Sequence, residues 1–239
     1  MAVSSKTKNW RLIELPVMDY LATWNLQHSL VAARFSGELD SDVVISVQHH
    51  PVFTLGRRGG RESIKVTERF LEESGIAVMQ TERGGSVTFH GPGQLVVYPI
   101  ICLAKAGLSA DEYISGLEEA MIGVAGEWGI PAERNSLNRG VWAGGRKLGS
   151  IGVAIRHGIT FHGLALNANV SLEPFEWVDP CGLKGASMTS MQQELSRELP
   201  LDNVKEALLR QLERVFEVQI VPLKRSEFEM VLSYQGTAR

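Results

Sequence analysis

A chain of 239 residues with 44% apolar and 21% charged side chains has the composition of an ordered globular protein able to bury a sizeable core. A formal charge of −3 and a pI near 6.1 lack the basic footprint of a nucleic-acid-binding protein. No apolar run approaches the roughly 18 residues of a membrane span, and the first ten positions lack the apolar stretch of a secretory signal, so a cytoplasmic protein without membrane association is expected. The two cysteines, Cys102 and Cys181, form no CxxC, which argues against a disulfide framework and against a thiolate metal site.

In chain order, Val17, Leu21, Trp24, Val31 and Phe35 recur at helical spacing, with His28 filling the gap, and predict an amphipathic helix feeding a strand over 43–47. A second strand follows over 51–55. Arg57, Arg58 and Arg61 cluster behind it, either as a solvated loop or as a local basic patch for a small acidic protein that the global balance hides. Thr67 caps a short helix that ends at Gly75, before a strand over 76–80. The segment 95–103 is apolar and β-rich, and Ser109 with Glu112 forms a capping-box signature opening a helix to about Trp128. Turn signals at Gly144-Gly145 and His157-Gly158, flanked by β-branched residues, predict two successive hairpins over 141–170. Val204, Leu208, Leu212 and Val215 mark a C-terminal amphipathic helix leading to a strand over 218–221. With no repeat or linker to divide it, the chain 1–239 reads as one α+β domain built on a mixed, largely antiparallel sheet flanked by helices.

Four segments stand out chemically. Arg83-Gly84-Gly85-Ser86-Val87-Thr88-Phe89-His90-Gly91-Pro92-Gly93-Gln94 combines four glycines with two polar anchors, Arg83 and His90. It is either a structural turn or a backbone approaching a ligand, and it matches neither the P-loop nor the dinucleotide fingerprint. Lys147-Leu148-Gly149-Ser150-Ile151-Gly152 puts a lysine on a strand where, by parity, it shares a face with Gly149, Ile151 and Val153; a lysine at a strand end commonly snorkels to solvent. In Phe161-His162-Gly163-Leu164-Ala165-Leu166-Asn167, a hairpin turning near His157 sets Gly152 roughly opposite His162 and Gly163. The small residues Gly149, Gly152, Gly163 and Ala165 then leave a trough for an aliphatic chain. His162 alone reads more readily as a hydrogen-bonded core residue. Asp179-Pro180-Cys181-Gly182-Leu183-Lys184-Gly185 holds Cys181 in a turn, whereas Cys102 sits in an apolar strand where a structural cysteine belongs. A thiol of pKa ~8.5 needs a nearby cation, Lys147 or Lys184, to act as a nucleophile at neutral pH.

Taken with Gly140-Val141-Trp142 and Thr189-Ser190, these segments resemble, in order and spacing, the lipoyl(octanoyl) transferases of lipoate biosynthesis. The signature covers about the middle half of the chain, and Phe89 departs from the tyrosine common there. The resemblance implies the biotin/lipoate protein ligase catalytic fold and a ping-pong reaction without ATP, metal or other cofactor. It makes Cys181 the carrier of the acyl group as a thioester and Lys147 its catalytic partner. It assigns acyl contacts to Arg83, Gly84, Gly85, Ser86, Val87, Thr88, Phe89 and His90, to Ser150, Ile151 and Gly152, and to His162, Gly163, Leu164 and Ala165. The implied donor is octanoyl-acyl carrier protein, and the implied acceptors are apo lipoyl domains of 2-oxoacid dehydrogenase complexes and the glycine cleavage H protein. Two alternatives differ in class: an ATP-dependent lipoate or biotin ligase, which needs no nucleophilic cysteine, and a non-catalytic protein that binds acyl groups or lipoyl domains.

Overall fold

The structure, a computed structural model, describes residues 8–136, 138–179 and 187–224. Its first half contains β1 (Lys8–Met18), α1 (Tyr20–Ser36), β2 (Asp42–His49), β3 (Val52–Leu55), α2 (Glu68–Glu73), β4 (Ala77–Gln80), β5 (Val87–His90) and β6 (Gln94–Ile100). Then follow α3 (Leu103–Ala106), α4 (Ala110–Glu127), β7 (Ala132–Arg134), β8 (Gly140–Ala143), β9 (Arg146–Arg156) and β10 (Ile159–Asn167). The chain continues with α5 (Glu173–Glu176), α6 (Met191–Leu195), α7 (Leu201–Phe216) and β11 (Val218–Pro222).

Eight of these strands form one sheet in the order β11-β1-β2-β6-β10-β9-β8-β7, and β4-β3-β5 form a second. In the large sheet β1 runs parallel to both β11 and β2, and the other pairs are antiparallel. The mixed, largely antiparallel sheet read from the sequence is therefore present. Both predicted hairpin turns form, with positive φ at Gly144, Gly145, His157 and Gly158, the backbone that two-residue turns need to follow the right-handed twist of their strands.

The helix α4 starts as its sequence dictates: the Ser109 hydroxyl accepts from the Glu112 N–H at 3.2 Å, and the Glu112 carboxylate accepts from the Ser109 N–H at 2.8 Å. Its face of Tyr113, Leu117, Met121 and Val124 packs with Leu208 and Leu212 of α7 over one side of the large sheet, against Val97, Val141, Leu148 and Leu164. The other side carries α1, whose Leu26, Leu30 and Val31 cover Ile45, Val96, Tyr98 and Ala165. A third core, around Phe53, Phe89 and Phe175, fills the space behind the small sheet.

Two sequence expectations need correction. Residue 17 belongs to β1 and α1 begins at Tyr20; Leu21 and Phe35 of the predicted stripe are exposed, at 45% and 61%. The buried face instead includes Thr23 and Gln27, because Gln27 spends its carbonyl on the backbone N–H of His162 at 2.7 Å. The strand β1 was not predicted at all: only Trp10 and Ile13 along it are buried, so it shows no period-two signal. No helix among the described residues is long and apolar enough to cross a membrane.

Candidate functional site

Three of the four chemistry-bearing segments, 83–94, 147–152 and 161–167, converge on one cavity of about 850 Å³ along β9 and β10, roofed by the glycine-rich segment. Gly163 pairs with Gly152 and Ala165 with Ser150 across the two strands, and paired residues share a face. Close approach requires glycine at Gly163 and leaves little room at Gly152. A Cβ on Gly163 would lie 2.2 Å from the Val97 carbonyl oxygen, and one on Gly152 would lie 3.0 Å from Arg83 Cδ. Beyond Ser150, β8 no longer covers β9, and the Gly84 N–H takes up the free Val153 carbonyl at 3.0 Å. The glycine-rich segment is thus bonded directly to the strand whose surface it covers.

The lysine reaches this cavity through a β-bulge. Trp142 pairs with Lys147 but Val141 pairs with Gly149, which leaves Leu148 as the extra residue. Leu148 and Gly149 both turn toward α4, where a Cβ on Gly149 would meet Met121 Sδ at 2.7 Å. Simple parity, which grouped Lys147 with Gly149, Ile151 and Val153, is therefore wrong: the extra residue turns Lys147 to the cavity side, and Gly149 does not belong to the trough. The register over Gly140 requires glycine, because φ there is +127° and a Cβ would sit 2.4 Å from the Gly149 carbonyl oxygen.

Lys147 is buried, at 7% exposure, and does not snorkel to solvent. Its ammonium donates to Asn138 Oδ1 and, at 3.1 Å, to the Arg139 carbonyl, and lies 5.6 Å from the centre of the Trp142 ring. The loop supplying those oxygens is held by Glu118 of α4, itself 1% exposed. Glu118 accepts from the Gly140 N–H at 2.9 Å and meets Arg139 Nη1 at 3.2 Å and Arg134 Nε at 3.4 Å. Residues 187–190 run alongside: the Lys147 N–H donates to Ser187 O, and the Thr189 N–H donates to Lys147 O, each at 2.9 Å. This stretch is fixed by a buried chain of side chains. His90 Nδ1 meets Gln94 Oε1 at 2.7 Å, Gln94 donates to Asn167 Oδ1 at 2.9 Å, and Asn167 donates to Thr189 O at 2.9 Å.

Among the other residues singled out in the sequence, Val87, Thr88, Ile151 and Leu164 also line the cavity. Phe89 turns away into the core with Phe53 and Phe175, and Ser86 uses its carbonyl to accept from Arg83. Arg83 is itself buried, clamping the loop through bonds to Thr54 O at 2.6 Å and Ser86 O at 2.8 Å. His162 has an unusual φ of +56° and is 1% exposed; its ring faces Tyr20 at 3.4 Å and Glu82 at 3.5 Å. Cys181, together with Pro180, Gly182 and Lys184, lies outside the described residues.

Sequence reasoning missed Tyr20, His49, Tyr98, Glu82, Glu118 and Asn138. A carboxylate on the apolar face of α4 was the available signal for Glu118. The ring cluster carried none, since its members come from α1, β2, β5, β6 and β10. Burial pushes His49 down to about 4 and pushes His90 and His162 below their ordinary value, while it raises the phenols of Tyr20 and Tyr98. All five rings are therefore neutral at pH 7. Burial works against the Glu82 carboxylate, but hydrogen bonding from His162 and the backbone overrides it and holds its pKa at about 2.

The three-layer arrangement is that of the lipoate and biotin protein ligase catalytic domains. A lipoate-protein ligase A bound with ATP superposes with a TM-score of 0.72 at 14% identity, covering 96% of this chain and 94% of that one, a likeness of fold. A bipartite lipoate protein ligase from Thermoplasma acidophilum superposes with a TM-score of 0.70 at 15% identity, covering 96% and 92%. Residues 19–213 match the lipoyl protein ligase A/B catalytic domain family. A relative from Desulfotalea psychrophila named octanoyltransferase is 46% identical over 83% of this chain and 90% of its own length. Another of the same name, from Syntrophobacter fumaroxidans, is 45% identical over 86% and 90%. The chain belongs to the lipoyl protein ligase A/B catalytic-domain family, within its octanoyltransferase branch, and is an acyltransferase.

Proposed function

We propose that this chain, working as one catalytic domain in the cytoplasm, moves an octanoyl group from acyl carrier protein to a lysine of an apo lipoyl domain through a thioester on Cys181. In the first half-reaction the Cys181 thiolate attacks the donor's thioester carbonyl. A new C–S bond forms, the donor's C–S bond breaks, and the leaving thiol takes a proton from Lys147. In the second, the acceptor's amine attacks the acyl-enzyme. A C–N bond forms, the Cys181 C–S bond breaks, and Lys147 takes back the amine's proton. Exchange of one thioester for another is nearly neutral, and amide formation drives the second step, so the route calls for neither ATP nor a metal.

The observation that carries this reading is the bulge that turns Lys147 into a cavity walled by Gly152, Gly163 and Ala165. Lys147 is also hydrogen-bonded to Ser187, six positions after Cys181 in the sequence. Two oxygens hold the ammonium, which keeps a positive charge where a thiolate would profit from one. The small residues leave room for the acyl chain, and burying about seven methyl and methylene groups at ~0.8 kcal/mol each offers roughly 5 kcal/mol before ordering costs. The acceptors on this reading are the lipoyl domains of 2-oxoacid dehydrogenase complexes and the glycine cleavage H protein.

Mass spectrometry after incubation with octanoyl-acyl carrier protein tests the proposal. A Cys181 peptide carrying one octanoyl group is expected, and Cys181→Ser should lose both the adduct and transfer. Retained activity in Cys181→Ser would favour an ATP-dependent ligase, and absence of the adduct under turnover would favour a non-covalent binder. In Lys147→Ala, alkylation of Cys181 should move to higher pH; an unchanged profile would remove Lys147 as the activating cation.

A further inference from the structure

The loop after β3 carries two arginines at the cavity rim that no carboxylate among the described residues neutralises. The N–H groups of Gly56, Arg57 and Arg58 donate to Ser86 O, Arg83 O and Gly85 O at 2.9, 3.0 and 3.0 Å. Three consecutive backbone bonds join this loop to the glycine-rich roof, so Arg57 and Arg58 ride on the same rigid unit as the cavity wall. Both side chains are exposed, and Arg58 lines the cavity itself. The arginines around them are committed elsewhere. Arg61 pairs with Glu68, Arg134 with Glu118 and Glu119, and Arg139 with Glu118 and Asp111. Among the described residues no carboxylate pairs with Arg57 or Arg58. On a chain of net charge −3, two adjacent uncompensated cations make a local field opposite in sign to the whole.

We propose that Arg57 and Arg58 are the docking point for an acidic surface of the protein that delivers the acyl thioester. The inference rests on the transferase reading above. The donor must bring its thioester to the roof and thread its acyl chain past Gly84 and Gly85, the segment to which this loop is bonded. The acceptor instead presents an amine, cationic until it loses its proton, which a guanidinium pair repels. An acidic donor surface meets the pair as an electrostatic rim contact, which acts chiefly on encounter rate and on salt dependence.

The test compares wild type with Arg57→Gln/Arg58→Gln and Arg57→Glu/Arg58→Glu on three donors: octanoyl-carrier protein, octanoyl-phosphopantetheine and octanoyl-N-acetylcysteamine. With the carrier protein, kcat/KM should fall about tenfold in the glutamine pair and further in the glutamate pair, with a flattened salt dependence. Losses with the two small thioesters should be far smaller. Equal losses with all three donors would show that the arginines act on the acyl thioester itself and not on the carrier protein, and would overturn the proposal. A loss shared by carrier protein and phosphopantetheine alone would assign them to a phosphate. A raised KM for the acceptor with the donor unaffected, or no change at all, would also overturn it. Wild type inactive with every donor would sink the transferase reading itself, a separate result.

Discussion

Replacing Glu118 by glutamine tests whether the loop that holds Lys147 is positioned from α4. The carboxylate is 1% exposed and makes three contacts, to the Gly140 N–H, Arg139 Nη1 and Arg134 Nε. Glutamine keeps one oxygen for Gly140 but turns an amide NH2 toward the two guanidinium groups. Two charge-assisted contacts are lost. The arginine side chains are 47% and 45% exposed, so each loss is discounted for solvent to about 1 kcal/mol or less. Stability should fall by about 1–2 kcal/mol, read as a urea midpoint lower by roughly 0.5–1 M. The effect on turnover should be larger than that suggests. The loop supplies Asn138 Oδ1 and Arg139 O to the Lys147 ammonium, and a misplacement near 1 Å at such a group costs up to about 100-fold in rate. The assay is octanoyl transfer to a lipoyl domain across pH, beside urea unfolding. Wild-type kcat/KM with an unshifted pH profile, in a variant that has lost the stated stability, would refute the reasoning and leave Glu118 a packing residue.

Two further outcomes follow from the geometry. In Gly152→Ala the new methyl would lie 3.0 Å from Arg83 Cδ and 3.1 Å from Gly84 O, narrowing the trough, so the preference for octanoyl over hexanoyl donors should fall about tenfold; an unaltered ratio in direct competition would take Gly152 out of the acyl path. His49 has its folded pKa lowered to about 4 against about 6.5 unfolded, so its contribution is complete above pH 6.5 and is lost as pH falls toward 4, a change of about 3 kcal/mol. His90 and His162 are shifted the same way and add to the loss. Unfolding midpoints should drop steeply between pH 6.5 and 4.5 and less steeply in His49→Gln, and a flat profile in wild type would contradict the neutral-ring reading.

Elements governed by local chemistry were legible in the sequence. The capping box of Ser109 and Glu112 set the start of α4, and the Gly144-Gly145 and His157-Gly158 turns set both hairpins. Turn position alone brought Gly152 opposite the His162-Gly163 neighbourhood, and the structure fixes the pair as Gly152 with Gly163. What escaped was settled by distant partners. The bulge at Leu148 has no period of its own, since the misfit appears only against β8, and one extra residue reversed the face assigned to Lys147. Gln27 on α1, absent from the apolar stripe, is buried because β10 supplies the N–H of His162 as its partner. The chain from His90 through Gln94 and Asn167 to Thr189 joins residues up to 73 positions apart, and only the folded sheet brings their hydrogen-bonding groups within reach.

The same fold also separates charge from the proposed acyl path. Tyr20, His90, Tyr98 and His162 would make a poor wall for a hydrocarbon chain if they titrated as they do in water. Burial removes that objection by lowering the imidazoles and raising the phenols, so the wall presents ring faces and no net charge at pH 7. Their polar atoms are turned to one another, as in His49 Nε2 with the Tyr98 hydroxyl at 2.8 Å and Tyr20 with His162 at 3.4 Å. The formal charges that line the same cavity collect around the Lys147 ammonium and the rim: Glu118 of α4 with its partners Arg134 and Arg139, and Arg58 on the loop after β3, with Arg83 spent inside the roof. A hydrocarbon chain would thus find its favourable surface along the glycine-lined strands. On the proposed thioester route, an anionic sulfur or a thioester carbonyl would find its own where the lysine is held. The position of the reacting carbon is then fixed from both ends, which neither a uniformly apolar pocket nor a uniformly polar one would do.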